Sequence, residues 1–176
     1  RVRMRPDAPA RGFETAEFAA RTKKAQSLMA AAGLDGILLL SEPDVRYFSG
    51  FHTLFWQSPT RPWCLFLPVS GKPIAVIPEI GAALMRQTWV EDIRTWSAPN
   101  PSDDGISLLT ELLSPLAAQG AKLGILKGHE TGWRMPLGDW ERLVAQLPDL
   151  QYADATALVQ GLRMVKSEAE IAKLRH

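Results

Sequence analysis

The residues best suited to chemistry lie between His52 and Trp63, where Phe55, Trp56, Gln57, Arg61 and Trp63 crowd a single stretch. Aromatic faces can cover a small ligand, and a guanidinium is a fixed, forked cation that suits a carboxylate. This is binding chemistry. The same residues could instead close off a sheet, with Trp56 and Trp63 turned inward and Arg61 left in solvent.

Elsewhere the patterns of catalysis are incomplete. The histidines His52, His129 and His176 are scattered, and His129 beside Glu130 would point to the opposite face on a strand. His129 therefore reads first as a loop histidine after a strand. No pair of His, Cys, Asp or Glu stands at metal-ligand spacing, so no metal site is expected within this chain. Gly120 and Gly124 lack both the Lys-Ser/Thr ending and the third glycine of the nucleotide fingerprints. Cys64 has no histidine near it and sits in an apolar run, where a thiol stays protonated and inert. Ser49-Gly50 lacks the Gly-x-Ser-x-Gly frame of an esterase elbow.

The elements that must hold the His52–Trp63 loop follow from periodicity. Phe18, Ala25, Leu28, Met29 and Ala32 recur at helical steps between Phe13 and Ala32, with Arg21, Lys23 and Lys24 read as surface, and Gly33 ends the helix. Leu34–Leu40 is a short continuous apolar run, which suits a strand buried on both faces. Ser41-Glu42-Pro43-Asp44 has helix-start chemistry and leads through Tyr47 and Phe48 to Gly50. After the loop, Trp63–Leu67 and Pro73–Ile77 flank Ser70-Gly71-Lys72 and read as an antiparallel hairpin with Pro73 at a strand start. A helix over Glu79–Gln87, a weaker strand over Asp92–Trp96, a helix after N-cap residues at Ser102–Asp104 and a strand at Lys122–Leu126 come next. Helices at Met135–Leu147 and Thr156–Met164 enclose a brief edge strand at Leu150–Ala153. Strands alternating with helices predict an α/β fold: a mixed sheet between helices.

Ser167 and Glu170 form the pattern of a capping box, so a last helix starts at residue 168. It has about two turns before His176 and no stop signal, and isolated helices that short are marginal in water. Its apolar face is expected to meet something beyond residue 176, and the chain reads as the front of a larger protein. A helix packing back on its own domain is the alternative.

The chain has 176 residues, 46% of them hydrophobic, enough for one domain with its own core. With 20 basic and 19 acidic side chains it has no charge surplus to grip nucleic acid or an anionic membrane. No stretch approaches the roughly 20 apolar residues of a membrane span. A lone cysteine excludes an intrachain disulfide and fits a reducing compartment, so a cytoplasmic location is expected.

Three stretches together resemble the N-terminal domain of the creatinase, prolidase and aminopeptidase P family of metallohydrolases. They are Arg21 through Gly36, with Ala-Gly-Leu-Asp-Gly before the first strand; Asp44-Val45-Arg46-Tyr47-Phe48-Ser49-Gly50-Phe51; and Leu162 through Ile171. The second is similar to the family's Asn-x-x-Tyr-x-Ser/Thr-Gly-Phe/Trp, with Asp44 where Asn is more usual, and the third to the linker that opens the catalytic domain. The resemblance implies a three-layer α/β/α domain of ribonuclease-H-like topology, its mixed sheet mostly parallel with an antiparallel hairpin. Residues 1–12, rich in Arg and Pro and without periodicity, read as a loose arm; the resemblance sets the domain proper over 13–160 and a linker with the start of a catalytic domain over 161–176.

It further implies a pita-bread catalytic domain downstream, as partner, holding two divalent ions (Mn, Co or Zn) through ligands outside this chain. The parent would be a hydrolase, such as an Xaa-Pro aminopeptidase, a prolidase or a creatinase-like enzyme. The present chain would be its non-catalytic part, contributing to a homodimer and to the substrate pocket. By the same resemblance Trp56 would be a pocket wall and Arg61 a partner for a substrate carboxylate, with His52 close to the substrate as well. The contrasting expectation is a stand-alone binding or interaction module without a catalytic partner.

Overall fold

The computed structural model describes residues 10–58 and 61–175; most of the predicted arm, residues 1–9, and His176 lie outside that range. Seven α-helices and six strands are described: α1 Thr15–Ala31, β1 Gly36–Leu39, α2 Glu42–Ser49, β2 Cys64–Pro68, β3 Ile74–Pro78, α3 Ala82–Met85, β4 Asp92–Trp96, α4 Ile106–Ala117, β5 Lys122–Ile125, α5 Leu137–Gln146, β6 Gln151–Asp154, α6 Thr156–Met164 and α7 Glu168–Leu174. The strands form one sheet in the order β4-β3-β2-β1-β5-β6. The central pairs β1–β2 and β2–β3 are antiparallel, and β3–β4, β1–β5 and β5–β6 are parallel.

Strand alternation sends successive residues to opposite faces, and each face has its own helices. Ile37, Leu39, Leu65, Leu67, Ala75 and Ile77 meet Ala25 and Met29 of α1, Val45 and Phe48 of α2, and Val159 and Leu162 of α6. Leu38, Leu40, Cys64, Phe66, Val76, Leu123 and Ile125 meet Ile106, Leu109 and Leu113 of α4 and Leu143 of α5. The fold is the expected three-layer α/β/α sandwich, and β1 is buried along its whole length.

Two elements differ from the sequence reading. The helix expected over Glu79–Gln87 divides into a 3-10 turn, Glu79–Gly81, and the single turn α3. The Thr88 hydroxyl donates to the Met85 carbonyl at 2.7 Å, occupying the acceptor that the next helical turn would use, and accepts Val90 N–H at 3.2 Å. Gly81 lies so close beneath Trp63 that a Cβ there would come within 2.2 Å of its ring. At the start of α4 the N-cap is Gly105, one residue beyond the expected caps, while Asp103 accepts Ser107 N–H at 3.0 Å.

Candidate functional site

The loop begins where α2 stops. Ser41 and Pro43 start that helix in the usual way, and Gly50 ends it with φ +77, a conformation glycine adopts without steric cost. The Ser49 hydroxyl donates to Val45 O at 2.6 Å and accepts Phe51 N–H at 3.0 Å, turning the chain sharply. Thr53 then caps a 3-10 turn, Leu54–Gln57, through a 3.2 Å bond from Phe55 N–H.

An aromatic cluster follows: Trp56 lies 6.3 Å from Phe51 and 6.1 Å from Trp63, and Phe55 stacks on Trp63 at 6.3 Å. Trp56 is only 6% exposed and belongs to the core, so its indole faces inward, while Leu54, Phe55, Ile80 and Leu84 are exposed apolar side chains. Arg61 is half-buried at a shallow depression shared with Phe55, Ser58, Trp63 and Ile80. His52 lines a different concavity, with Nδ1 3.4 Å from Glu42 Oε1. Arg61 thus shares a depression with Trp63, on which Trp56 packs, and His52 does not join them. His129 lies apart from both, its carbonyl accepting from Gln160 Nε2 at 2.9 Å.

The concavity beside His52 is an open cleft of about 980 Å³ between α1, α2 and α7, and the resembling stretches converge on it. Arg21, read from sequence as a surface residue, is only 6% exposed. Spacing accounts for the correction: Arg21 follows Phe18 by three and precedes Ala25 by four, which puts it on the buried stripe. Its guanidinium lies over Phe13 at 4.4 Å and Tyr47 at 4.3 Å, donates to Tyr47 O at 2.8 Å, and pairs with Glu17 at 3.0 Å and Glu170 at 3.1 Å.

Glu170 is the acidic half of the predicted capping box, which forms in full: its other oxygen accepts Ser167 N–H at 2.9 Å. One carboxylate therefore both starts α7 and ties it to α1. Asp44, 3% exposed, accepts from Ser41 and from Arg163 Nη1 at 2.9 Å, and Tyr47 OH donates to Leu162 O at 3.2 Å. Burial pushes the Tyr47 pKa up, against the opposing pull of Arg21, so the phenol stays a donor. These bonds fasten the end of α6 and the start of α7 to the helices below. Their side chains hold structure; in the loop beyond Gly50, Phe51, Thr53 and Trp56 are buried and His52, Leu54, Phe55 and Gln57 are exposed.

Among the described residues no three His, Cys, Asp or Glu side chains converge as metal ligands, and no helix is long and apolar enough to cross a membrane. Among these residues the donor set that two divalent ions need is not assembled.

Residues 21–165 match the family described as the creatinase/prolidase N-terminal domain. The chain belongs to that family. A probable dipeptidase PepE of Mycobacterium tuberculosis is 28% identical over 94% of this chain and 41% of its own length. The ectoine hydrolase of Halomonas elongata is 25% identical over 93% of this chain and 41% of its own. In three dimensions the prolidase of Thermococcus sibiricus superposes with a TM-score of 0.72 at 21% identity, over 88% of this chain and 39% of that one. This creatinase/prolidase N-terminal domain thus spans about two fifths of the length of these three relatives.

Proposed function

We propose that this domain is the non-catalytic front part of a dinuclear-metal hydrolase of the Xaa-Pro peptidase or creatinase type, and that it serves in dimerisation and in shaping the substrate pocket. The observation that carries the reading is the outward edge of the His52–Trp63 loop. Exposed Phe55 and Ile80 meet Arg61 at one depression, and Leu54 and Leu84, near them in the chain, are exposed apolar side chains as well. Apolar exposure of that kind favours a protein neighbour, and an arginine beside an aromatic face favours a carboxylate. The residue bounds proposed for the domain proper are 13–160, with 161–176 leading to a catalytic domain that would hold Mn, Co or Zn.

Further exposed apolar side chains are Met164 and Val165 at the fastened α6–α7 junction and Leu174 at the far end of α7. α7 buries no residue of its own, which suits a helix that a following domain covers. Within the reading, the pocket belongs to the neighbouring subunit, Arg61 holds a substrate carboxylate there, and the Phe55 face, more than the inward Trp56, bounds the pocket. The location is proposed to be cytoplasmic. Arg61→Ala in the whole hydrolase tests this: KM for a carboxylate-bearing substrate rises about tenfold or more, as for loss of one charge-assisted hydrogen bond. Unchanged kcat/KM on every substrate cleaved would remove Arg61 from the pocket.

A further inference from the structure

Arg134 sits on the segment between β5 and α5, far from the loop in sequence. That segment is fixed at both ends. Gly128 N–H donates to Thr156 Oγ1 at 2.8 Å and the Thr131 hydroxyl donates to Gly128 O at 2.7 Å, while Trp133 packs edge-on against Trp140 at 5.0 Å and Met135 is buried. From this anchor the Arg134 guanidinium reaches across to the loop. Its Cζ lies 5.1 Å over the Trp56 ring, and Nη2 donates to the Ser58 carbonyl.

No carboxylate forms an ion pair with Arg134 among the described residues, and Nη1 is buried without a hydrogen-bond partner. Burial accordingly pulls its pKa below the ordinary arginine value, with Glu42 opposing. A half-buried arginine lacking a carboxylate is a poor device for stability alone, since its desolvation is only partly compensated. What it does have is a grip on two consecutive features of the loop, the Trp56 face and the carbonyl at Ser58, three residues ahead of Arg61.

We infer that Arg134 is a positioning residue: it clamps the Trp56–Ser58 turn from outside the loop and thereby sets the direction in which Arg61 is presented. The inference rests on the proposed role of that loop in substrate binding. Substrate is not touched by Arg134 itself; the effect passes through the turn. A cation over the indole and a charge-assisted bond to a carbonyl together hold a short stretch whose start is capped by Thr53.

The test is Arg134→Met in the whole hydrolase, which keeps the apolar stem and removes both the charge and the donor. Amide exchange in peptides covering 51–63 should rise about tenfold, as for loss of one charged hydrogen bond, with the sheet and α4 unchanged. KM should rise about tenfold with kcat within about twofold, the signature of lost binding without lost chemistry. Arg134→Lys, retaining a charge and a donor, should recover most of both effects. Wild-type exchange in 51–63, or a rise spread evenly over all elements, overturns the inference. Local loosening with unchanged KM upholds the clamp and instead defeats the role proposed for the loop, so the two failures are told apart.

Discussion

Arg21→Met makes the sharpest demand on the description of the cleft. The substitution keeps most of the stem between Phe13 and Tyr47 but removes the guanidinium that joins Glu17, Glu170 and the Tyr47 carbonyl. Breaking a buried ion pair by deleting one partner costs about 3–5 kcal/mol when the other charge stays buried. Here the side chains of Glu17 and Glu170 keep 18% and 17% exposure, and Glu170 retains its bond from Ser167, so solvent recovers part of that loss. About 2–3 kcal/mol remains, equivalent to a fall in Tm of roughly 4–12 °C for a chain of this size. Urea unfolding should show a lower midpoint at unchanged slope. Crossing Arg21→Met with Glu170→Gln should give a coupling of about 1 kcal/mol or more, because the two groups share one bond. In Arg21→Met, limited trypsin digestion should cut first at Lys166 or Lys173, since α7 buries nothing and relies on this pairing. A loss below about 0.5 kcal/mol, within the range of ordinary surface substitutions, would refute the claim that Arg21 ties α7 down.

Two further outcomes follow from buried and capping groups. Burial raises the Cys64 thiol well above its ordinary range, so a thiol reagent at pH 8 should leave the folded protein unmodified and react fully in denaturant; labelling of the native chain would place Cys64 outside the sheet core. Asp154 accepts from the Thr156 hydroxyl at 2.5 Å and its N–H at 2.9 Å, and these bonds hold its pKa below the model-peptide value of 3.8. A carboxylate depressed on folding contributes stability that is complete above its unfolded pKa and lost as pH falls through the folded one. Asp154→Asn should therefore flatten the stability curve below about pH 4 and leave its shape at neutral pH unchanged, as read by urea midpoints against pH.

What was legible from sequence was mostly local. The Ser167/Glu170 box, the Gly33 stop, the hairpin around Gly71 and the edge strand at Tyr152 all rest on short-range rules, and the structure contains each of them. Strand order was not legible, because the antiparallel pairing of β1 with β2 is set by how two apolar runs far apart in the chain share both cores. The inward turn of Trp56 was an open alternative, since an aromatic loop pattern does not say which ring fills the core. Arg21 carried a signal, its place on the Phe18–Ala25 stripe, which its charge obscured. Arg134 carried none: it lies outside any periodic pattern, and only the tertiary fold brings it over Trp56. Both arginines link elements distant in sequence.

The central claim is that this domain completes a pocket belonging to its neighbour. Mixed dimers test it most directly. Subunits carrying Arg61→Ala, with their catalytic half intact, are combined by unfolding and refolding with subunits whose catalytic half is disabled and whose Arg61 is retained. Half of the resulting dimers are hybrids with one fully equipped site each, so activity should return to about a quarter of wild type. A mixture no more active than the average of its two parents would contradict the account.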